Sequence, residues 1–205
     1  MVLIIDEARD PTQDEILRAM FAARKRVFVD LLGWDVPVLD GYYEIDQFDD
    51  PNATYLIISD ASGRHLGSAR LLETVRPHIL DTLFPHLCDH AIPRGHHVRE
   101  ITRFCLDRNQ TARQRRETRN QLISALVDHA LANNISTYTG VAEMAWFQQI
   151  LAFGWRCRSL GRSHGEGASG LAALRIDIGE DTIECLTSSG IYPVSGQLRP
   201  TLQMA

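Results

Sequence analysis

The amino-acid sequence predicts a mixed α/β fold, in which a mixed central sheet carries helices on both faces. Two observations support this prediction. Segments with the alternation or β-branched content of strands occur between segments with apolar residues at helical spacing, in the order β-α-β-β-β-α-β-α-β-β. The chain has 205 residues, 44% of them hydrophobic, which is enough for one sizeable core. No repeat, low-complexity tract or linker divides it, so we expect a single domain over residues 1–205.

The N-terminal half predicts a strand, a helix and a hairpin. The strand is the apolar run "VLII" near the N-terminus. The segment "TQDE" at 12–15 has the pattern of a capping box with Thr12 at the N-cap, and it opens a helix that ends near Gly33. The β-rich residues 54–73 surround a Ser-Gly turn and predict a hairpin, followed by a short helical or irregular stretch over 76–90.

The C-terminal half predicts alternating strands and helices. Residues 98–106 form a strand, and the apolar residues of 113–133 recur at helical spacing. The remaining predicted elements are a strand at "ISTYTGV" (135–141), a helix over 143–153 capped by Gly154, strands over 155–160 and 171–178, and a helix over 180–189.

Composition argues against several classes of protein. The net charge of -5 disfavours a general nucleic-acid binder, so we expect no nucleic-acid partner. The N-terminal apolar run is too short for a signal peptide or a membrane span, which predicts a cytoplasmic protein. The four cysteines form no C-x-x-C pair, as expected of reduced thiols. The histidines and cysteine between residues 78 and 97 do not match a structural zinc pattern, so we expect no metal.

The strand over 98–106, "VREITRFCL", carries charges inside an apolar run. Buried ions need partners, so this is either a solvated edge strand or a strand whose charges face a binding cleft. Strict alternation places Glu100 and Arg103 on opposite faces, and both can face one cleft only if a bulge adds a residue between them. Arg70, in the preceding hairpin, is a possible partner for either charge.

The segment 35–50 combines acidic and aromatic residues and contains no basic residue. A loop of this kind is either solvated or a site for a cationic ligand, because carboxylates compensate positive charge and ring faces attract it. Arg24 lies on the apolar face of the preceding helix. The acids are Asp35, Asp40, Glu44, Asp46, Asp49 and Asp50, and the aromatic residues in or beside the segment are Trp34, Tyr42, Tyr43 and Phe48.

A cluster of arginines follows the charged strand, near the start of the predicted helix over 113–133. Such a cluster is either a solvated face or a dock for an acidic protein or a phosphate group. Its members are Arg108, Arg113, Arg115, Arg116 and Arg119.

These features, in this order, resemble the acyl-homoserine-lactone synthases, the autoinducer synthases of bacterial quorum sensing. The resemblance covers roughly residues 1–180 and includes "FPHL" at 84–87 and "RFC" at 103–105. The family signature is Arg-x3-Phe-x5-Trp, then Asp-x2-Asp, an arginine in the next hairpin, and Glu-x2-Arg. The matching residues are Arg24, Phe28, Trp34, Asp46, Asp49, Arg70, Glu100 and Arg103.

The resemblance implies a GNAT-like N-acyltransferase fold, whose central strand bulges and splays from its neighbour to open a V-shaped cleft. It also implies two substrates, S-adenosylmethionine and a fatty acyl thioester on acyl carrier protein, and no bound cofactor. The expected reaction forms an amide and then a lactone, with release of methylthioadenosine. The sequence leaves the acyl chain and the oligomeric state open.

The resemblance also implies roles for individual residues. Glu100, as base, and Arg103 are the expected catalytic residues. The arginines of the acidic site either hold the carboxylate of the substrate or order the acidic loop. The residues expected to bind S-adenosylmethionine are Arg24, Phe28, Trp34, Asp46, Asp49, Arg70 and Phe104. The residues expected to line the acyl pocket are Leu122, Leu126, Met144 and Trp146, with packing in the core as the alternative. The residues expected to dock the carrier protein are Arg113, Arg115, Arg116 and Arg119.

Two other functions fit parts of the sequence. An N-acyltransferase that uses acyl-CoA is one, but the glycine-rich pyrophosphate loop of that subclass has no counterpart, since no glycine lies between Gly95 and Gly140. A non-catalytic sensor of a cationic metabolite is the other, and it gives Glu100 no role.

Overall fold

The computed structural model describes residues 1–6, 14–162 and 170–193, and the backbone of a strand at 202–204. The chain forms two compact units. The first unit comprises Met1–Leu71, Arg103–Leu122 and Leu198–Ala205, and the second comprises Leu72–Thr102 and Ile123–Gln197. The single domain expected over residues 1–205 stays a prediction.

The order of the main elements agrees with the sequence prediction. Three short strands, labelled β2, β3 and β10 in the following list, were not predicted. The elements are β1 (Val2–Ile5), α1 (Glu15–Arg24), β2 (Val38–Leu39), β3 (Tyr43–Glu44), β4 (Thr54–Ser59), β5 (His65–Glu73), α2 (Ile79–Thr82), β6 (Val98–Leu106), α3 (Ala112–Ala132), β7 (Thr137–Glu143), α4 (Met144–Leu151), β8 (Arg156–Ser159), β9 (Leu171–Asp177), α5 (Thr182–Ser188) and β10 (Leu202–Met204).

Helix α1 begins later than the sequence pattern indicated. Its N-cap is Asp14, whose side chain accepts the N–H groups of Ile16 and Leu17 at 2.7 and 3.1 Å. The capping box expected at Thr12 is therefore wrong, and Thr12 itself lies outside the described residues. Beyond Arg24 the helix widens into a π-helical turn over Lys25–Val29.

In the first unit, the strands form a largely antiparallel sheet. Strand β4 pairs antiparallel with β1 and with β5, the predicted hairpin, and β1 pairs parallel with β10. Helix α1 packs on this sheet through Phe21, whose ring meets Tyr55 of β4 edge-on with 5.9 Å between centroids. This packing fixes the end of α1 against the hairpin.

In the second unit, the sheet is mixed and has helices on both faces, as predicted. Strand β6 pairs parallel with β7, β7 antiparallel with β9, and β9 antiparallel with β8. On one face, the Tyr138 hydroxyl donates to the carbonyl of Leu126 in α3 at 2.9 Å. On the other face, Leu80 of α2 packs with Ala173 of β9.

Strand β6 is irregular near Arg103, and the bulge expected between Glu100 and Arg103 stays a prediction. Its parallel pairing with β7 ends at Ile101, opposite Gly140. At Arg103 the backbone has φ of 51°, which is rare for a residue other than glycine. Such a residue breaks the strict alternation of a strand. The V-shaped opening expected beside it stays a prediction. Among the described residues, no helix is both long and apolar enough to cross a membrane.

We expect Gly67→Ala to destabilise the first unit. A Cβ atom at Gly67 of β5 would lie 2.8 Å from Thr118 Cγ2 and 3.0 Å from Leu106 Cδ2. Overpacking of this kind costs about 1–3 kcal/mol of unfolding free energy, which urea denaturation measures. Gly179→Ala is the matched control, since its nearest contact would be an ordinary 3.4 Å. Equal stability of the two variants would contradict the packing described for β5.

Candidate active site

Six charged side chains of the first unit form a closed ring of ion pairs in which the signs alternate. Each arginine contacts two carboxylates and each carboxylate contacts two arginines. The ring therefore has no net formal charge. Its members, in order, are Arg24, Glu44, Arg103, Asp46, Arg70 and Asp49, which returns to Arg24.

Arg24 is one of two almost fully buried cations of the ring, the other being Arg70. Its Nη1 and Nη2 donate to Asp49 Oδ1 and Oδ2 at 2.7 and 2.8 Å, a bidentate pair, and its Nε donates to Glu44 Oε2. The side chains of Arg24, Asp49 and Glu44 are at most 1% exposed. The Tyr55 hydroxyl adds a fourth donor, 2.9 Å from Asp49 Oδ1. This half of the ring is thus closed to solvent.

Arg70 and Arg103 complete the ring on either side of Asp46. Arg70 Nη1 and Nη2 lie 2.6 and 3.1 Å from the two Asp46 oxygens, and Nη1 also lies 2.7 Å from Asp49 Oδ1. Arg103 Nε donates to Glu44 Oε1 at 3.0 Å, and its Nη2 donates to Asp46 Oδ2 at 2.7 Å. Arg103 is the most exposed member, at 11%.

The acidic residues come from a turn that folds on its own carboxylates. Glu44 ends the short strand β3, and Asp46 and Asp49 follow it. The Asp46 N–H donates to Asp49 Oδ2 at 2.9 Å, and the Phe48 N–H donates to Asp46 Oδ1 at 2.9 Å. Asp side chains commonly form turns of this kind. The same oxygens that hold the turn also bind the arginines.

The π-helical turn after α1 brings two aromatic rings together. The Trp34 N–H donates to the Phe28 carbonyl at 2.8 Å, and the two rings stack with centroids 4.7 Å apart. Arg103 Cζ lies 5.7 Å from the Phe28 centroid and 5.8 Å from the Trp34 centroid, within cation–π range. The guanidinium of Arg103, the most exposed member of the ring, therefore lies beside two aromatic rings, of which Phe28 is buried and Trp34 partly exposed.

The ring keeps Arg24 and Asp49 charged despite their burial. Burial alone raises the pKa of Asp49, but the guanidinium groups of Arg24 and Arg70 outweigh it and hold the pKa below its ordinary value. Burial alone would lower the pKa of Arg24, but the carboxylates of Asp49 and Glu44 outweigh this effect and raise the pKa above its ordinary value. Burial and the Asp49 charge raise the pKa of Tyr55, so its hydroxyl stays a donor.

Asp46 and Asp49, which the sequence analysis expected to bind a cationic ligand, bind arginines in the structure. Their side chains are 4% and 0% exposed, and both bind arginines. The arrangement favours the alternative in which arginines order the acidic loop. A direct contact between these two acids and a cationic ligand stays a prediction.

Sequence reasoning did not single out Glu44 or Tyr55 as site residues. Glu44 stood only among the six acids of the loop, and its two-residue strand is too short to leave a periodic pattern. Tyr55 occurs in a strand rich in β-branched and aromatic residues, where a buried tyrosine is ordinary. Only the three-dimensional pairing reveals their part in the ring.

In the second unit, Glu100 is fully buried on β6. Its Oε1 accepts the N–H of Leu80 at 3.0 Å, and Glu100 lies opposite Thr139 in the parallel register with β7. Within the described part of the chain, the buried Thr139 hydroxyl has no hydrogen-bond partner. Burial, with smaller contributions from Asp89 and Glu100, raises the pKa of the Cys88 thiol.

The four residues expected in the acyl pocket occupy two helices. Leu122 and Leu126 of α3 are buried, at 0% and 1% exposure, while Met144 and Trp146 of α4 are partly exposed. The Trp146 ring packs edge-on against Phe153 at 5.8 Å. Their contact with an acyl chain stays a prediction, and so does the role of the partly buried Phe104 in the first unit.

The arginines at the start of α3 form a basic patch in the first unit. Arg113, Arg115 and Arg116 are exposed, and Arg119 is partly buried. Arg113 pairs with Glu117 at 2.8 Å, a solvated contact of little energetic weight. No ion pair of Arg115 or Arg116 occurs among the described residues.

Two further features concern the buried Cys105 thiol and the side chains that could bind a metal ion. Burial raises the pKa of the Cys105 thiol to about 12, so it is not a thiolate nucleophile near neutral pH. Among the described residues, no three histidine, cysteine or acidic side chains cluster in a way that suits a metal ion.

The fold of the chain is similar to that of a solved N-acyltransferase structure. An acyl-CoA N-acyltransferase from Pseudomonas aeruginosa superimposes with a TM-score of 0.55 over 85% of this chain and 98% of that chain. At 15% identity this likeness shows the fold alone. The expected GNAT-like fold is thereby confirmed.

The family is narrower than the fold. The model of the family described as "Autoinducer synthase" matches residues 10–186. The acyl-homoserine-lactone synthase of Rhizobium etli is 35% identical over 169 residues, which are 81% of this chain and 79% of the relative. The chain therefore belongs to the autoinducer synthases, a family of acyltransferases, and the expected resemblance is confirmed.

Solved structures of this family agree with that assignment. TofI, in a ternary complex with an inhibitor and MTA, is 31% identical and superimposes with a TM-score of 0.75 over 91% of this chain and 96% of TofI. MesI, a CoA-dependent acyl-homoserine lactone synthase, is 25% identical with a TM-score of 0.82 over 95% of this chain and 97% of MesI. The family thus includes members that use CoA.

We expect Arg24→Leu to destabilise the protein strongly. The substitution leaves the buried Glu44 and Asp49 each with fewer cationic partners, and breaking a buried pair in this way costs about 3–5 kcal/mol. Urea denaturation measures the loss, or circular dichroism shows a chain that does not fold. Lys25→Ala is the control, because its pair with Asp30 is 26% and 40% exposed and is worth less than about 1 kcal/mol. Similar losses in both variants would show that the ring is not a dominant interaction.

Proposed function

We propose that the protein makes N-acyl-L-homoserine lactones in the cytoplasm, from S-adenosylmethionine and a fatty acyl thioester carried on acyl carrier protein. The observation that carries this proposal is the contact, in one site, of seven of the eight signature residues. Glu100, the eighth, lies on the same strand as Arg103. S-adenosylmethionine is a substrate, and no bound cofactor is proposed. The seven are Arg24, Phe28, Trp34, Asp46, Asp49, Arg70 and Arg103.

Arg103 and its aromatic neighbours are the proposed contacts of S-adenosylmethionine. The Nε and Nη2 groups of Arg103 are committed to the ring, and among the described residues no bond uses its Nη1. Nη1 suits the substrate carboxylate, as a charge-assisted hydrogen bond. The faces of Phe28 and Trp34 suit the sulfonium and ammonium groups. Arg24, Arg70 and the acids would then act by holding Arg103 in place.

The first chemical step is amide formation. The α-amine must be neutral to attack, while a typical amino terminus has a pKa of about 8, so a base assists. Glu100 is the proposed base, directly or through a water. The amine attacks the thioester carbonyl, and the thiol of the donor leaves. Backbone N–H groups of the irregular strand β6 are candidates to stabilise the oxyanion.

The second step closes the lactone ring. The carboxylate oxygen attacks the γ-carbon next to the sulfonium, and the carbon–sulfur bond breaks. The sulfur takes the bonding pair and leaves as neutral methylthioadenosine. In support, TofI was solved with MTA bound.

The acyl donor is the finer part of the proposal. The exposed Arg113, Arg115 and Arg116 suit an acidic carrier protein, and no glycine between Gly95 and Gly140 is available for a pyrophosphate loop. MesI is CoA-dependent, so acyl-CoA is the rival donor. Both donors carry the same phosphopantetheine arm, and the assays below separate them.

The central assay supplies the purified protein with S-adenosylmethionine and matched acyl chains on carrier protein and on CoA. We expect N-acyl-homoserine lactone and methylthioadenosine in equal amounts by mass spectrometry, formed faster from the carrier-bound chain. Glu100→Gln should slow turnover by about 100-fold or more, the usual contribution of a general base, with S-adenosylmethionine affinity unchanged by calorimetry. Absence of lactone with every donor contradicts the proposed function, and wild-type rates in Glu100→Gln remove Glu100 as the base.

Charge reversal tests the carrier-protein dock. The double variant Arg115→Glu/Arg116→Glu should raise KM for the carrier-bound donor about 10-fold, because each lost charge pair at an interface weakens association. The KM for S-adenosylmethionine should not change. Arg156→Glu/Arg158→Glu, two exposed arginines of β8, is the control. If both double variants use the carrier-bound donor equally well, the dock lies elsewhere.

A further inference from the structure

The carboxylate of Glu100 is oriented by a single helical turn in the second unit. Glu100 Oε1 accepts the N–H of Leu80 at 3.0 Å, and Leu80 lies in the four-residue helix α2. The first N–H groups of a helix have no partner within the helix, so the Leu80 N–H is available for this bond. A hydrogen bond to one oxygen restricts the rotation of the whole carboxylate. The position of α2 therefore determines where Glu100 points.

Asp81 holds this turn in place. Its Oδ1 accepts the N–H of His78, the N-cap residue, at 2.8 Å, and Asp81 occupies the third helical position as in a capping box. Its Oδ2 lies 3.4 Å from Nη1 of Arg94. A helix of four residues has little stability of its own, so it depends on such contacts.

A second set of contacts ties the turn to the start of β6. Arg94 Nε donates to the Thr74 carbonyl at 2.9 Å, so Arg94 joins the segment before α2 to the segment before β6. The buried Thr74 hydroxyl lies 3.2 Å from the Gly95 carbonyl and 3.1 Å from the Val98 carbonyl. Val98 begins β6, two residues before Glu100. Leu80 and Glu100 are thus linked through Asp81, Arg94 and Thr74 as well as directly.

We propose that Asp81 is a positioning residue for Glu100. It fixes the helical turn whose Leu80 N–H orients the Glu100 carboxylate for proton transfer. The inference rests on the proposed function, in which Glu100 is the base. Asp81 acts through Leu80 and takes no part in the chemistry itself. A base that is displaced or rotated loses rate even when substrate binding is intact.

The test compares Asp81→Ala with Asp81→Asn in the full-length chain. Asp81→Ala removes the acceptor of the His78 N–H, and we expect kcat to fall about 10-fold, a fraction of what a general base contributes. The KM for S-adenosylmethionine should stay within about 2-fold, since the residues proposed to bind it lie elsewhere in the chain. Asp81→Asn keeps an oxygen for the His78 N–H and should restore most of kcat. Asp89→Ala, which removes an exposed acid of the same unit, is the control and should behave as wild type.

A second readout does not depend on catalysis. The amide proton resonance of Leu80 in NMR spectra should move upfield in Glu100→Gln, because the charge-assisted bond to the carboxylate is lost. It should move in the same direction in Asp81→Ala and return in Asp81→Asn. If Asp81→Ala does not fold, Arg94→Ala serves in its place, with a smaller fall in kcat and a smaller shift of the Leu80 resonance.

Three results would overturn the positioning role. The first is an unchanged kcat in Asp81→Ala. The second is an equal loss of kcat in Asp81→Ala and Asp81→Asn. The third is a Leu80 amide proton resonance that does not move in Glu100→Gln. Failure of the proposed function gives a different result, because a wild-type protein that makes no lactone still reports the Leu80 bond by NMR. The two failures are therefore distinguishable.

Discussion

The alternating ring of three arginines and three carboxylates is the interaction on which the rest of the first unit depends. Its members come from the end of α1, strand β3 and the turn after it, the hairpin strand β5 and the C-terminal half of β6. Each ion alone would be costly to bury, and each is compensated by two neighbours of opposite charge. The ring can form only when all four segments are in place, so it couples the site to the fold.

The ring also explains how an acidic segment folds without exposing its acids. The carboxylates of Glu44, Asp46 and Asp49 are turned inward, and the group that reaches solvent is the guanidinium of Arg103. Two bonds to carboxylates and two aromatic faces restrict its position. A group restricted before the ligand arrives loses less entropy on binding, which favours affinity and orientation.

Much of this fold was predictable from the sequence, because long elements leave a periodic pattern and charged residues in apolar runs mark a site. The ion pairs of the ring were harder to predict from the sequence. The sequence analysis considered Glu100 or Arg103 as a partner of Arg70, whereas the structure pairs Arg70 with Asp46 and Asp49. The sequence also did not show that Glu44 and Tyr55 take part in this cluster. The strand pattern indicated a bulge only on the condition that Glu100 and Arg103 face one cleft, and it gave no sign of the positive φ at Arg103.

The remaining differences between the sequence prediction and the structure have three separate causes. Thr12 and Asp14 are both good N-cap residues within three positions, and the helix begins after Asp14. Strands β2 and β3 have two residues each, too few for alternation to be recognised. The contact between Leu80 and Glu100 joins residues 20 positions apart through a backbone N–H, which carries no side-chain signature in the sequence.

The most direct test of this account measures S-adenosylmethionine affinity by calorimetry in the Asp49→Asn variant, with amide hydrogen exchange at Asp46, whose N–H donates to Asp49. The Asp49 side chain is 0% exposed and pairs with Arg24 and Arg70, so it reaches the ligand only through the ring. The account predicts affinity about 10-fold weaker, equivalent to ~1.4 kcal/mol, and faster exchange at Asp46. Wild-type affinity for S-adenosylmethionine together with faster amide exchange at Asp46 would contradict this account. The ligand would then bind normally although the ring was disturbed.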